Sequence, residues 1–416
     1  MSQQRSARAV FLWNLAGSLS TGLVAFLLFL GVSRTMPAVV SDRYSFIYAI
    51  GNLLSMLALF QVRNYQATDI HQRFSFSIYL AARLWTCLLT VLVAAIYGLW
   101  GGFSVLELVM LLLMTAYRIT DALSDVFQGL FQQQERMDLA GKSLFFRNSL
   151  MLLVFNMSLF LTKNLILAMW LLLLVSCLAI IWWDLRPARD MVTWDWQAIC
   201  DRQVLSLLKH CVPLFIIGFL LVYIYNQPKY ALNSLFEEGY IVAGAQRDFN
   251  ILFMPIFVMN LLTMLLRPMI TQLAVYFTRS NWSDFRQLIR RIFLYLSLLS
   301  ATVLLGGHLL AIPVLSTVYS TDLSAYKTTF MILLVGGVLS SFATILDNLV
   351  TVFRYQKFLV LSFGLAWLVS LLIAGPLVRW SGIFGAAVSY LLTMVVWLVG
   401  LSVTYAIIFK KVRSTS

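Results

Sequence analysis

Residues 164–183 read NLILAMWLLLLVSCLAIIWW, twenty positions without one charged side chain. A bilayer core about 30 Å thick takes about 20 residues of helix to cross. A run this long and apolar is therefore read as a membrane span rather than as a core helix of a soluble domain. Working outward, similar runs fall near 9–33, 45–62, 78–101, 103–127 and 143–162 before it. After it they fall near 210–231, 240–266, 292–317, 327–352, 358–379 and 382–409. The expected fold is all-α and polytopic, with about 12 transmembrane helices in two six-helix lobes around a central cavity. The first lobe is placed at 1–196 and the second at 197–416, on either side of the longest link, 184–209. Such paired lobes are an arrangement that transporters use.

Composition agrees. Of 416 residues, 61% are hydrophobic and 11% charged, against roughly 25% charged in an average soluble domain. Mean hydropathy is +0.87. The net charge of +13 is better explained by orientation in a membrane than by nucleic acid, because cytosolic loops collect Lys and Arg. With the N-terminus inside, twenty Lys and Arg fall in inner segments. Six fall outside: Arg34, Arg43, Lys163, Lys229, Lys327 and Arg379. Both termini are thus expected in the cytosol. Trp182, Trp183, Trp194 and Trp196 read most simply as interfacial anchors.

Four cysteines without a CxxC pair and three scattered histidines give neither a disulfide framework nor a metal site. No Walker motif, HExxH or Gly-rich nucleotide loop is present, so no cofactor is expected. The short outer connections argue against a catalytic role, and no residue is assigned one.

Ionisable side chains inside a bilayer are costly and mark functional positions. The fourth run carries Thr115, Arg118, Asp121, Asp125, Gln128 and Gln132. Their spacings of three and four put them on one helical face. Either the stripe lines a water-filled cavity, or Arg118 and Asp121 form an intrahelical ion pair at an emerging helix end. A second cluster spans the seventh and eighth runs. Pro228, within Asn226-Gln227-Pro228-Lys229-Tyr230, is expected to break the seventh helix. Gln246, Arg247, Asp248 and Asn250 are expected roughly 10 Å along the eighth. Arg247 and Asp248 are adjacent, about 100° apart, and so are not expected to neutralise each other. Arg34 reads as a headgroup-level residue after the first span.

The stretch 226–274, NQPKYALNSLFEEGYIVAGAQRDFNILFMPIFVMNLLTMLLRPMITQLA, resembles the seventh-to-eighth helix region of capsular and teichoic-acid flippases. These are Wzx-type prokaryotic polysaccharide exporters of the multidrug/oligosaccharidyl-lipid/polysaccharide superfamily. In them an Asn-x-Pro-Lys-Tyr element precedes an acidic-Gly-Tyr turn and a helix ending in Arg-Pro. The resemblance implies a flippase in the bacterial plasma membrane, with its glycan linked to undecaprenyl diphosphate. The glycan would be a capsule, O-antigen or teichoic-acid unit, moved to the outer leaflet by alternating access. Arg247, Lys229, Arg118 and, more weakly, Arg34 would then hold the diphosphate, with Asn226 and Tyr230 against the sugars. Asp121, Asp125, Asp248 and Gln246 would line the cavity or bind a coupling ion, proton or sodium. Two alternatives stand beside it: a multidrug exporter of the same superfamily, which would favour acidic residues, and a membrane-embedded glycan polymerase or transferase.

Overall fold

In a computed structural model of the chain, residues 7–69, 73–263, 266–279, 281–353 and 355–415 are described. They form helices and turns, without a strand among them. Among the described residues, each of the twelve apolar runs falls largely on a helix. We number these α1 (Ala7–Thr35), α2 (Ala38–Leu59), α3 (Phe76–Trp100), α4 (Val105–Gln133), α5 (Met137–Thr162) and α6 (Leu165–Ala179). The rest are α7 (Arg202–Glu237), α8 (Ala245–Thr263), α9 (Trp282–Gly306), α10 (Lys327–Val352), α11 (Leu359–Ser381) and α12 (Ile383–Thr415). Among the described residues nine helical segments are long and apolar enough to cross a membrane. The three that fall short, α2, α4 and α8, are helices in which charged side chains interrupt the apolar run: Asp42 and Arg43, Arg118 to Asp125, and Arg247-Asp248.

Local signals set the helix ends. The Ser104 side chain accepts from the Glu107 amide at 3.4 Å and the Glu107 carboxylate accepts from the Ser104 amide at 2.9 Å, a reciprocal capping box that starts α4. Asn164 caps α6 through the Leu167 amide at 3.1 Å. Before α3, the Asp69 carboxylate accepts from the amides of Arg73 and Phe74 and from the Tyr79 hydroxyl. Burial works against its ionisation, yet these donors prevail and hold its pKa below the usual value.

Contacts divide the chain into two compact units, Met1–Phe219 and Leu220–Ser416, with the division inside α7. In the first, α1 lies close along α5: a Cβ on Gly141 would meet the Trp13 carbonyl oxygen at 2.3 Å, the close approach that small residues give membrane helices. The link after α6 folds onto this unit. Trp194 packs edge-on against Phe76 at 5.9 Å, and the Trp85 indole donates to the Ile199 carbonyl at 2.9 Å. Trp194 is thus half-buried against the protein. In the second unit α10 packs on α8, α9 and α12, around the buried Tyr390 and Trp397.

Two expectations need correction. Pro228 does not break α7, which continues through it to Glu237; the ring removes a single backbone bond, to the carbonyl four residues back. The eighth helix starts at Ala245, after glycines at positive φ (Gly239, 82°; Gly244, 94°). Gln246, Arg247 and Asp248 therefore stand in its first turn rather than about 10 Å along it.

Candidate functional site

The spacing of the α4 stripe gathers arginines from neighbouring elements. Asp125 is held by two: Arg83 Nη2 of α3 lies 2.8 Å from one oxygen and Arg63 Nη1, from the short helix Val62–Thr68, lies 3.2 Å from the other. Asp121 is likewise shared, by Arg118 Nη1 at 3.2 Å and Arg147 Nη2 of α5 at 2.9 Å. Of the two readings of the stripe, the Arg118–Asp121 pair is present, but as one link of an interhelical network. Arg118 also donates to Asn52 of α2 and stands 4.6 Å from the Tyr48 ring centroid, a guanidinium–π contact. Arg63 donates to Gln128 Oε1 at 2.8 Å, and Arg83 to the Ala58 carbonyl at 2.7 Å. Thr115 is buried; Gln132, beyond the network, is exposed.

Arg83 and Arg147 are deeper than the carboxylates they hold. The side chains of Arg83 and Arg147 are 0% and 5% exposed, against 25% for Asp121 and 19% for Asp125. Behind Arg147 lies Asp184, fully buried in a π-helical stretch, Ile180–Leu185, that continues α6; it accepts from Ser143 Oγ at 2.5 Å. Such π-helical turns often accompany functional positions.

In the second unit Lys229, Asn226 and Gln227 are buried on α7. Lys229 Nζ stands 4.9 Å over the Phe253 ring of α8. Phe253 in turn meets Tyr390 edge-on at 5.0 Å, and Tyr225 lies 6.0 Å from Tyr390. Tyr230 packs on Tyr223 at 5.5 Å, while Asn226 donates back to the Val222 carbonyl at 2.9 Å. Gln246, Asn250 and Phe253 follow each other by four and three residues, on one face of α8. Gln246 is buried, and neither atom of its amide group has a hydrogen-bond partner among the described residues.

Arg247 and Asp248 correct another expectation. Arg247 Nε and Nη2 lie 2.9 and 2.8 Å from Asp248 Oδ1. The Cβ directions diverge, but an arginine stem is long enough to turn its head back to a neighbour in the first helical turn. Arg34 is exposed in the last turn of α1. Arg34, Arg118, Asp121 and Asp125 thus belong to the first unit, and the other six candidates to the second.

Sequence reasoning missed Arg63, Arg83, Arg147 and Asp184 as partners. The first and third sit where loop charges are expected, and only tertiary packing turns them inward. No group of three or more His, Cys, Asp or Glu side chains suited to a metal ion occurs among the described residues.

No family model matches the chain, and no curated protein does. Solved structures do. An inward-facing multidrug resistance MATE family transporter of the MOP superfamily aligns at TM-score 0.66 and 13% identity, over 98% of this chain and 99% of that one. A MATE transporter from Vibrio cholerae aligns at 0.61 and 16%, over 98% and 97%. A MOP superfamily transporter from Pyrococcus furiosus, described as having a binding pocket of reverse polarity that suggests a different function, aligns at 0.59 and 13%, over 98% and 96%. The chain therefore has the fold of these transporters over essentially its whole length.

Proposed function

We propose that the chain is a transporter working by alternating access, and that its cargo is an anionic, lipid-linked glycan moved across the bacterial plasma membrane. The observation that carries this reading is the charge balance of the first unit's interior. Asp121 and Asp125 are each shared by two arginines, so four guanidinium groups meet two carboxylates. Asp184 offsets only part of the excess. A pocket for cationic drugs would keep its carboxylates open, whereas these are already held by cations. Lys229 and Arg247 add to the positive side in the second unit, where Arg247 is paired with Asp248. A diphosphate entering such surroundings loses hydration, and arginine forks replace it with paired, charge-assisted hydrogen bonds. The Pyrococcus furiosus neighbour, with its pocket of reverse polarity, is a precedent for this fold taking another cargo than its multidrug relatives.

The reading is tested by thermal unfolding of the purified protein with either class of ligand. An undecaprenyl-diphosphate-linked sugar at a hundred times its dissociation constant is expected to stabilise the fold by about 2.7 kcal/mol, while ethidium leaves it unmoved. Stabilisation by ethidium alone would favour the multidrug reading.

Orientation is tested with a native thiol. Cys200 is exposed in the link that the charge count places in the cytosol. A membrane-impermeant maleimide is expected to label it in inverted vesicles and to spare it in intact spheroplasts. The opposite pattern would turn the whole topology over.

A further inference from the structure

One side of the α1–α5 pair opens into a groove of about 630 Å³. Leu19, Leu23, Leu27 and Leu30, on one face of α1, stand across from Leu152 and Leu153 of α5. Its polar side chains are few: Ser20 Oγ donates to the Gly17 carbonyl at 2.8 Å, Asn156 Nδ2 donates to the Leu152 carbonyl at 2.9 Å, and Ser149 is exposed. The lining is consequently largely hydrocarbon, and no arginine or carboxylate of the ion network described above belongs to it.

Length separates this groove from an ordinary lipid contact. From Ala16 to Leu30 it follows α1 for about 21 Å at 1.5 Å per residue. One leaflet of the hydrocarbon core is about 15 Å deep. A phospholipid acyl chain ends near the midplane, so filling the groove takes a chain from each leaflet, whereas one polyprenyl chain spans it alone. Charge adds a direction. At the N-terminal end of the groove Phe145 packs on Trp13 at 5.9 Å, and Lys142 Nζ lies 5.5 Å from the Trp13 ring centroid. Beyond Leu30, one turn on, α1 ends at Arg34. A cation thus stands toward each end of an apolar track.

We propose that this groove holds the polyprenyl tail of a polyprenyl-phosphate lipid, with the phosphate end near Lys142 before transfer. The inference rests on the function proposed above and adds where the tail lies. The tail stays against α1 and α5 while the polar head crosses the protein interior.

The test uses the full-length protein in nanodiscs containing phosphatidylglycerol, with undecaprenyl phosphate carrying a photoreactive diazirine midway along its tail. Adducts are expected on peptides covering 16–30 and 145–156. Excess undecaprenyl phosphate should remove them, and excess phosphatidylglycerol should not. The pair Leu23→Trp with Leu153→Trp, filling the groove at half-exposed positions, is expected to lower labelling about tenfold. Leu92→Trp, similarly exposed on α3, should leave it unchanged. Equal competition by phosphatidylglycerol would mark an ordinary lipid groove and overturn the inference. Saturable adducts elsewhere, with translocation intact in proteoliposomes, would overturn the groove and leave the proposed function standing. No saturable adduct anywhere, together with no translocation, would remove both.

Discussion

Arg247→Ala is expected to stop export while protein abundance stays close to normal, and Arg247→Lys to recover it in part. The residue stands in the first turn of α8, where its guanidinium lies 2.8 Å from Asp248. An arginine can fork onto two phosphate oxygens, whereas lysine would keep the charge without that paired geometry. Loss of one charge-assisted contact of this kind removes about 2–3 kcal/mol, on the order of 30–150-fold in binding. Because Arg247→Ala also strips a buried carboxylate of its partner, the double change with Asp248→Ala is the deciding variant. If the pair is only structural, the double variant restores export along with abundance. On the proposed reading export stays lost in the double variant while abundance remains near normal. Quantitative blotting beside an export measurement in cells separates the two, and full export with Arg247→Ala would remove this residue from the mechanism.

Arg83→Met is expected to have the largest effect on stability. Arg83 is fully buried, reaches Asp125 at 2.8 Å and the Ala58 carbonyl at 2.7 Å, and ties α3 to both α2 and α4. Breaking a buried pair by removing one partner costs about 3–5 kcal/mol, because the surviving charge keeps its desolvation penalty. Asp125 retains Arg63, whose side chain is 28% exposed, so the lower end of that range is expected. Met fills much of the stem's volume, which confines the loss to the charge. Detergent-solubilised variant protein should unfold at a clearly lower temperature. Arg83→Met together with Asp125→Asn should regain part of the difference. An unchanged unfolding temperature for Arg83→Met would show that the network carries little of the fold.

Much of the architecture was legible because lipid imposes a simple rule: the backbone must satisfy itself within each span, and long apolar runs become helices. Among the described residues all twelve runs fall largely on helices, including α2, α4 and α8, whose charges interrupt them. The errors came where local chemistry was asked to decide a tertiary question. Pro228 reads as a breaker, yet neighbouring turns carry α7 through it. Arg247 and Asp248 diverge at Cβ, yet a long side chain closes the gap. The α4 stripe was visible from its spacing of three and four residues, since its face is set by helical period alone. Its partners were not visible. Arg63 and Arg147 look like loop charges in the sequence, and nothing in a linear pattern says that Asp125 draws in Arg83 from another helix. The groove was equally invisible, since leucines lining it and leucines facing lipid are the same residue at the same spacing.

The central claim is that this fold carries an anionic lipid-linked glycan. It is tested most directly in proteoliposomes holding the purified protein and a fluorescent undecaprenyl-diphosphate-linked oligosaccharide, with dithionite reporting the fraction on the outer leaflet. The account predicts exchange between leaflets well above that of protein-free vesicles, and its loss on Arg247→Ala. Exchange no faster than in empty vesicles, from protein that extrudes a cationic dye under the same gradient, would contradict it.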